Sequence, residues 1–327
     1  MHGREDGYAG EGAIRKLIID TDTGADDASA LILAAKTAGI EILGVTTLVG
    51  NTDLAQGTKN ALAALEIAQC DAPVYAGAAS TYSGREIESF SVFGGDGMGD
   101  ADLIHPAGSA QTQDAISFII DTVRENPGEV EIVLLGPATN LALAIERDPD
   151  VMRQVKRIWS MGSAGLGPGN ASPVAEFNVY GDAEAYRVVL ESGIPMTIIG
   201  LDMCGGEAMW TGKQFDALEK TGEIGRFVTA SFGKLREFYA SNGSVDAVMN
   251  CEGLAMTCVL RPDFVKSTIQ VHGSCITETG ETYGQVIFYK EGFTYDFVPN
   301  DFDYSVTLVT EADGANYFNL YRDAIRR

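Results

Sequence analysis

Four aspartates lie in one short stretch near the start of the chain. Residues 17–27, LIIDTDTGADD, place four carboxylates within eight residues, directly after an apolar run typical of a buried strand. Such carboxylates repel one another unless a cation or a hydroxyl-rich ligand compensates their charge. Open α/β sheets bind ligands at the carboxyl ends of their strands. The cluster of Asp20, Asp22, Asp26 and Asp27 therefore predicts a binding site, in preference to a solvated turn with Asp26 as a helix cap.

The chemistry of this aspartate cluster leaves several classes of site to weigh. Oxygen ligands alone favour a hard cation, Ca²⁺ or Mg²⁺, over zinc. An EF-hand does not fit, because Gly24 and Ala25 stand where its loop needs another oxygen ligand and then glycine. A strand followed by Asp-x-Asp also resembles the haloacid-dehalogenase-like phosphatases, with Asp20 as nucleophile and Asp22 as acid/base. That family needs a later lysine and acidic pair, and residues 95–100 offer the pair only in a glycine-rich loop.

The elements that position the cluster follow an alternating pattern. Short apolar runs alternate with stretches of helical period, which predicts a doubly wound, mostly parallel α/β sheet. The predicted strands are Leu17–Asp20, Ile42–Val49, Pro73–Ala76, Glu131–Leu135, Arg157–Met161 and Met196–Leu201. The predicted helices between them are Asp26–Ala38, Leu54–Ala68, Gln113–Arg124, Asn140–Arg147 and Ala183–Glu191.

The second half of the chain reads differently. Residues 211–260 are mainly helical in pattern, with helices predicted at Gly212–Lys220, Ile224–Ala240 and Glu252–Leu260, and could cap the carboxyl edge of the sheet. Residues 262–310 are β-rich, with segments at Gln285–Tyr289 and Ser305–Val309, and a last helix follows near Asn316–Ile325. Residues 1–16 read as a flexible tail, and residues 17–327 as a single domain with C-terminal β-rich additions.

Composition excludes several functions. Twenty-three Lys and Arg against 46 Asp and Glu give the 327 residues a net charge of −23, which repels nucleic acid and anionic membrane surfaces. Five scattered cysteines without a CxxC pair form neither a disulfide framework nor a zinc ribbon. Residues 1–16 contain no apolar stretch, so we expect no signal peptide, and the sequence contains no run of about eighteen apolar residues. We therefore expect a cytoplasmic protein with a small-molecule partner.

Later motifs extend the aspartate pattern into a family resemblance. Asp20, Asp22, Gly24, Asp26 and Asp27 match the Asp-x-Asp-x-Gly-x-Asp-Asp signature of the nucleoside hydrolases, which are Ca²⁺-dependent enzymes. Residues 46–51 (TTLVGN), 73–77 (PVYAG), 136–142 (GPATNLA) and 169–178 (GNASPVAEFN) then resemble further motifs of that family, in the same order. The resemblance runs from Leu17 to the C-terminal helix. It implies hydrolysis of the N-glycosidic bond of ribonucleosides, giving ribose and free base.

The resemblance implies roles for individual residues. Calcium ligands would be Asp22, Asp27, the carbonyl of Thr139 and the carboxylate of Glu252, and Asp22 would also take a proton from the attacking water. A divalent ion that acidifies water beside a carboxylate base is consistent with this assignment. The residues implied to face the substrate are Asp26 and Asn178 at the 2′- and 3′-hydroxyls, Glu176 and Asn170 at the 5′-hydroxyl, and Asn51 and Met161 nearby.

Activation of the leaving base is where the chain departs from the best-known members. They carry a His-Asp pair at the start of a late helix, whereas this chain has Cys251 and Glu252 in MNCEGLA, which resembles a less studied subgroup. Cys251 could donate a proton to the departing base or could be a small buried residue. Phe93, in a glycine-rich loop, could stack on the base, and Trp210, Phe238 and Tyr239 are further candidates for the base pocket.

Two alternatives to the hydrolase stay open on the sequence. One is the phosphatase already described. The other is a ribose- or nucleoside-binding protein that kept its sugar and calcium ligands but lost turnover together with the histidine. The resemblance further implies a homodimer or homotetramer and no organic cofactor, and base preference has no readable code.

Overall fold

The central feature of the fold, within the part of the chain that the structure describes, is a nine-stranded sheet. A computed structural model describes residues 14–87, 91–242, 246–298 and 301–326. The strands of the main sheet are ordered β10-β9-β11-β6-β5-β4-β1-β2-β3. Their bounds are β1 Arg15–Thr21, β2 Ile40–Thr47, β3 Val74–Ala76, β4 Val130–Leu134, β5 Arg157–Met161, β6 Met196–Ile199, β9 Val265–Cys275, β10 Val286–Lys290 and β11 Val306–Ala312. The neighbouring strands in the part of the sheet ordered β11-β6-β5-β4-β1-β2-β3 are parallel to one another. Strand β9 is antiparallel to both of its neighbours, β10 and β11.

Helices cover both faces of this sheet. Their bounds are α1 Ala25–Ala35, α2 Leu54–Ile67, α3 Ala115–Glu125, α4 Thr139–Arg147, α5 Pro149–Met152, α6 Phe177–Gly181, α7 Ala183–Glu191, α8 Gly212–Glu219, α9 Glu223–Ser231, α10 Gly233–Ser241, α11 Cys251–Leu260 and α12 Gly314–Ile325. A short antiparallel pair, β7 Trp210–Thr211 and β8 Ala247–Val248, lies outside the main sheet. The predicted doubly wound, mostly parallel architecture is confirmed.

Strand β1 is buried on both faces, as its continuous apolar run requires. Leu17 and Ile19 pack into the core with α1, α2 and α11, while Ile18 packs into the opposite core with α3, α4 and α7. Because parallel strands end at the same edge, the acidic segment that follows β1 lies beside the ends of β2 and β4.

The side chain of Asp20 links neighbouring elements at this edge of the sheet. Its Oδ1 accepts hydrogen bonds from Thr46 Oγ1 on β2 at 2.5 Å and from Asn140 Nδ2 on α4 at 2.8 Å. Asn140 in turn accepts from the Ala78 amide at 2.9 Å, next to the end of β3. The fully buried carboxylate of Asp20 therefore ties β2 and α4 to β1.

Two predicted boundaries are wrong for local physical reasons. Arg15 and Lys16 were predicted to belong to the tail but begin β1, where Arg15 Nε donates to the buried Glu131 at 3.0 Å. The single helix predicted over Ile224–Ala240 is two helices, because Phe232 leaves the helical conformation (ψ 1°) to bury its ring and Gly233 follows it.

Some predictions on organisation lie beyond the described residues or stay untested. Residues 1–13 of the predicted tail fall outside the described residues. That residues 17–327 form a single domain stays a prediction. Within the described ranges, no helix is both long and apolar enough to cross a membrane.

Candidate active site

A cavity of about 400 Å³ opens at the carboxyl edge of the sheet. Its wall contains eleven of the residues predicted from sequence: Asp26, Asn51, Phe93, Met161, Asn170, Glu176, Asn178, Phe238, Tyr239, Cys251 and Glu252. The predicted site residues Asp22, Asp27 and Thr139 do not line this wall, and all three are fully buried. Residues that lie far apart in sequence therefore converge on one pocket.

The carboxylate of Asp22 lies so close to two glycines that neither position has room for a side chain. Its Oδ2 accepts the Asn51 amide at 2.6 Å, which ties the end of β1 to the loop after β2. A Cβ atom added to Gly50 would collide with Oδ2, and one added to Gly136 would lie 2.8 Å from Oδ1. The two glycines therefore let loops from β2 and β4 close on this carboxylate.

Asp26 and Asp27 occupy the first turn of α1, where the positive end of the helix favours carboxylates. Asp27 is held on both oxygens, since Oδ1 accepts Thr21 Oγ1 at 2.6 Å and Oδ2 accepts the Gly24 amide at 2.9 Å. Asp26 instead lines the pocket and shares a hydrogen bond with Glu252, from the first turn of α11. Asp26 is therefore the member of this pair that a ligand in the pocket can contact.

Burial sets the electrostatics of these carboxylates. It raises the pKa of Asp22 to about 7, and it raises the pKa values of Asp26, Asp27 and Glu252 above their ordinary range. Coulombic repulsion within the cluster raises the pKa of Asp22, Asp27 and Glu252 further. A bound cation would favour their ionised forms and so reverse the direction of these shifts.

The donor atoms partly fit a hard cation. Among the described residues, Asp22 Oδ1 and Glu252 Oε2 are buried and have no hydrogen-bond partner, which is costly for carboxylate oxygens unless a ligand binds them. Oxygen donors suit Ca²⁺ or Mg²⁺. Within the same residues, however, no group of three or more His, Cys, Asp and Glu side chains has the geometry to hold a metal by itself. Backbone oxygens would have to complete the set.

Thr139 begins α4, directly after the loop that follows β4. Its hydroxyl donates to Asp182 Oδ2 at 2.6 Å, so the side chain is committed to fastening α4 to the start of α7. A cation would thus be left with the carbonyl oxygen of Thr139, which is the atom that the family resemblance implies. That role stays a prediction.

The polar end of the pocket is built on the short helix α6. Glu176 caps this helix, since its carboxylate accepts the Asn178 amide at 2.7 Å and the Val179 amide at 3.2 Å. Asn178 Nδ2 donates to the Leu135 carbonyl at 2.8 Å, beyond the end of β4. Asn170 Oδ1 accepts the Phe177 amide at 2.9 Å, which orders the loop before the helix. These contacts fix the amides and the carboxylate in a pocket wall that can bind hydroxyl groups.

Another part of the wall is largely apolar. It contains Phe93, Leu201, Leu235, Phe238, Tyr239, Met249 and Cys251. Phe93 is 7% exposed, whereas Phe238 is 44% exposed. Burial raises the pKa of Tyr239 to about 12, with the charges of Cys251 and Asp26 adding to the shift, so its hydroxyl remains a donor. Aromatic and aliphatic side chains of this kind suit the flat face of a nucleobase.

Trp210 is a correction to the predicted site. Its ring is fully buried and does not line the pocket. It packs instead in an aromatic core with Phe215, Phe232, Tyr317, Phe318 and Tyr321, at ring centroid distances of 4.8–6.0 Å. An aromatic residue beside a predicted helix has the same sequence pattern whether it faces a core or a cavity.

Several pocket residues were missed from sequence. The polar one is Asp202, whose Oδ2 accepts the Leu166 amide at 2.9 Å and thereby holds the loop that leads to Asn170. A carboxylate directly after the predicted strand Met196–Leu201 was the available signal, because ligands bind at strand ends. Leu235 and Met249 carried no such signal.

The predicted phosphatase nucleophile, Asp20, is wrongly placed for that chemistry. It is fully buried, bonded to Thr46 and Asn140, and absent from the pocket wall. A parallel sheet with carboxylates and amides gathered at its carboxyl edge defines instead an enzyme for a hydroxyl-rich substrate. The comparisons with known proteins identify the family.

The family profile of "Inosine-uridine preferring nucleoside hydrolase" matches residues 17–319. The chain is 36% identical over 276 residues to Uridine nucleosidase 1 of Arabidopsis thaliana, covering 82% of each chain. Among solved structures, the plant nucleoside hydrolase PpNRh1 is similar with a TM-score of 0.89 and 29% identity, covering 95% of this chain and 99% of that one. A purine-preferring ribonucleoside hydrolase from Gardnerella vaginalis is similar with a TM-score of 0.87 and 26% identity, covering 95% and 98%.

The chain therefore belongs to the nucleoside hydrolase family and is an N-glycosyl hydrolase that acts on ribonucleosides. The predicted family membership and enzyme class are confirmed. Whether Cys251 marks a particular subgroup stays a prediction.

Proposed function

We propose that this protein hydrolyses the N-glycosidic bond of ribonucleosides with a bound calcium ion, giving ribose and free base. The observation that carries the proposal is the pair of unpartnered buried oxygens, Asp22 Oδ1 and Glu252 Oε2, among the described residues beside the polar end of the pocket. The ion would be held by Asp22, Asp27, Glu252 and the carbonyl of Thr139. When bound, calcium supplies positive charge that keeps these carboxylates ionised and makes water more acidic.

The residues of the chain then have separate tasks. Asp22 takes the proton of the water that attacks the anomeric carbon. Asp26 and Asn178 bind the 2′- and 3′-hydroxyls, with Asn51 and Met161 beside them. Glu176 and Asn170 bind the 5′-hydroxyl. Hydrogen bonds to the 2′-hydroxyl strengthen as the sugar gains positive charge, so they stabilise the oxocarbenium-like transition state.

The first test is the release of free base and ribose from inosine, adenosine, guanosine, uridine and cytidine, measured by chromatography before and after calcium removal. We expect the release to fall at least about tenfold on chelation and to return with added calcium. The reason is that the proton acceptor, Asp22, and the attacking water both depend on the ion. Base preference emerges from the same panel, since the related proteins divide between uridine and purine nucleosides.

Two results would contradict the proposal. Saturable nucleoside binding without release of base, from protein shown to be folded, would favour the non-catalytic binding protein. Release that is unchanged by chelation, with calcium loss verified by elemental analysis, would remove the metal from the mechanism.

Cys251, which lines the same cavity as Phe93, is proposed as the group that protonates the leaving base. Interaction with the Cys204 thiol, together with burial, raises the pKa of the Cys251 thiol well above its ordinary value. The thiol is therefore protonated at neutral pH and retains a proton to donate.

A leaving-group series tests this role of Cys251. We expect Cys251→Ala to slow release of a poor leaving base about 10²-fold or more, but to slow release of p-nitrophenol from p-nitrophenyl riboside much less, because that group leaves without protonation. Cys258→Ala, another buried thiol on the same helix, is the matched control. Equal losses on both substrates would make Cys251 a packing residue.

The predicted cytoplasmic location and homodimeric or homotetrameric state belong to the same proposal. Size-exclusion chromatography with light scattering measures the assembly directly. A monomer that retains full activity would contradict the oligomer.

A further inference from the structure

Two helices that carry proposed calcium ligands pack against each other. Helix α1 has Asp27 in its first turn, and α11 has Glu252 in its first turn. Glu252 Oε1 lies 3.5 Å from Asn178 Nδ2, and its Oε2 is buried without a hydrogen-bond partner among the described residues. The position of the Glu252 carboxylate relative to Asp27 therefore depends on how the start of α11 is held against α1.

The side chain of Asn250 connects the start of α11 to α1. Asn250 directly precedes α11, and its Oδ1 accepts the Gly253 amide at 3.2 Å, which caps the helix. Because a backbone amide only donates, the side-chain atom that faces Gly253 is the oxygen and not the nitrogen. The same oxygen lies 3.0 Å from Ser29 Oγ on α1 and accepts its hydroxyl proton. One oxygen atom thus bonds to both helices.

Ser29 extends this connection to the first turn of α1. Its Oγ also lies 2.8 Å from the carbonyl oxygen of Asp26, so one hydroxyl proton is shared between that carbonyl and Asn250. Ser231 on α9 is a comparable buried serine, and within the described residues its Oγ bonds only to the Val228 carbonyl of its own helix, at 2.9 Å. The bond to a second helix is therefore what distinguishes Ser29.

Packing alone does not explain an amide side chain at position 250. Asn250 is 1% exposed, and its carbonyl accepts Tyr317 Oη on α12 at 3.3 Å. A Cβ atom added to Gly253 would lie 2.6 Å from Asn250 Oδ1 and would collide with Tyr317 Oη. In this tightly packed place Asn250 Nδ2 is buried and has no partner among the described residues, a cost that an apolar side chain would avoid.

We propose that Asn250 and Ser29 are positioning residues that hold Glu252 in place against Asp27 for calcium binding. The inference rests on the proposed function, because calcium is the ligand proposed for these two carboxylates. Neither Asn250 nor Ser29 lines the pocket, so both act through the helices that they join. Removing a group that orients metal ligands without binding the metal typically lowers metal affinity about 10- to 100-fold.

The experiment titrates calcium alone into the full chain after metal removal, measured by isothermal titration calorimetry. Ser29→Ala removes the hydroxyl and leaves the cap of α11 in place. Asn250→Ser keeps an oxygen that can cap α11, but its side chain is one bond shorter and withdraws from Ser29. We expect each change to weaken calcium binding about tenfold. Ser231→Ala is the matched control and should leave the affinity unchanged.

A double variant distinguishes a shared link from two separate structural effects. Ser29→Ala combined with Asn250→Ser should weaken calcium binding no more than either change alone, because both break the same hydrogen bond. Circular dichroism verifies that each variant is folded. Losses that multiply in the double variant, or an unchanged affinity in either folded single variant, would overturn the proposal. If Asn250→Ser does not fold, Ser29→Ala compared with Ser231→Ala decides.

The same titration separates this inference from the proposed function. If the unaltered chain binds no calcium, the proposed function fails and this inference fails with it. If the unaltered chain binds calcium and Ser29→Ala binds it equally well, the calcium site stands and the positioning role is wrong.

Discussion

Replacing Asp22 by asparagine is expected to lower kcat about 10²- to 10⁴-fold, because the variant loses the proposed proton acceptor and one of the proposed calcium ligands. The side chain keeps its size, so its neighbours Gly50 and Gly136 need not move. The oxygen of an asparagine amide can still accept the Asn51 amide, which is the contact that joins β1 to the following loop. The loss should therefore be chemical and not structural.

The stability of Asp22→Asn provides the discriminating control. Removing one of several buried like charges should leave the thermal midpoint without calcium unchanged or higher, since repulsion in the cluster falls. Added calcium should raise the midpoint of the unaltered protein but raise that of the variant much less, because a ligand stabilises only the state that binds it.

The matched control for Asp22→Asn is Asp150→Asn. Asp150 is an exposed residue that pairs with Arg153 on the surface, where an ion pair contributes little. It should change neither kcat nor the calcium-induced shift. Turnover by Asp22→Asn close to that of the unaltered protein would remove Asp22 from the mechanism, whereas lost turnover with an intact calcium shift would separate its base role from its ligand role.

The acidic cluster was predictable because its signal is local. Asp22, Asp26 and Asp27 follow a strand whose apolar run indicates burial on both faces, and strand ends are where open sheets bind ligands. Asp20 shows the limit of that argument. Asp20 is also an aspartate at the end of β1, yet its hydrogen bonds to Thr46 and Asn140 give it a structural role that links β1 to β2 and α4. Only the three-dimensional contacts separate the two outcomes.

The apolar end of the pocket was harder to predict, because core and cavity residues share a pattern. Trp210 was predicted for the base pocket and lies in an aromatic core, whereas Leu235 had no predicted role and lines the pocket. Both are large apolar residues in a stretch with a mainly helical sequence pattern, although Trp210 lies in β7 and Leu235 in α10. The break at Phe232 between α9 and α10 sets the packing of α10, and helical periodicity gave no sign of it.

The pocket wall has a polar part and an apolar part, and this difference determines how strictly each part selects its portion of the substrate. At the polar end, Glu176 and Asn178 are fixed by the capping of α6 and by the loop after β4. In the apolar part of the wall, Phe93 and Tyr239 contribute aromatic rings. Selection against a missing hydroxyl should therefore be strict, whereas selection among bases should be looser.

The strictness of the sugar end gives the second large prediction. A 2′-deoxynucleoside should be hydrolysed about 10⁴-fold less efficiently in kcat/KM than the ribonucleoside with the same base, because buried groups that bind the hydroxyl are left unpaired. Asp26 is 6% exposed and Asn178 is 4% exposed, so water replaces the missing hydroxyl poorly. Because the 2′-hydroxyl contact stabilises the positively charged transition state, its loss should lower kcat specifically.

The control for this prediction lies within the sugar. The same comparison made with a 5′-deoxynucleoside probes Glu176 and Asn170. Their oxygens already accept backbone amides, so the loss of kcat/KM should be smaller.

Asp26→Asn should then reduce the discrimination between ribonucleoside and 2′-deoxynucleoside, because the variant no longer binds the hydroxyl with a carboxylate. Comparable rates on the ribo and 2′-deoxy substrates would contradict the assignment of Asp26 and Asn178. If the discrimination is the same in the unaltered protein and in Asp26→Asn, then Asp26 does not bind the 2′-hydroxyl. The contact would then have to be assigned to another residue.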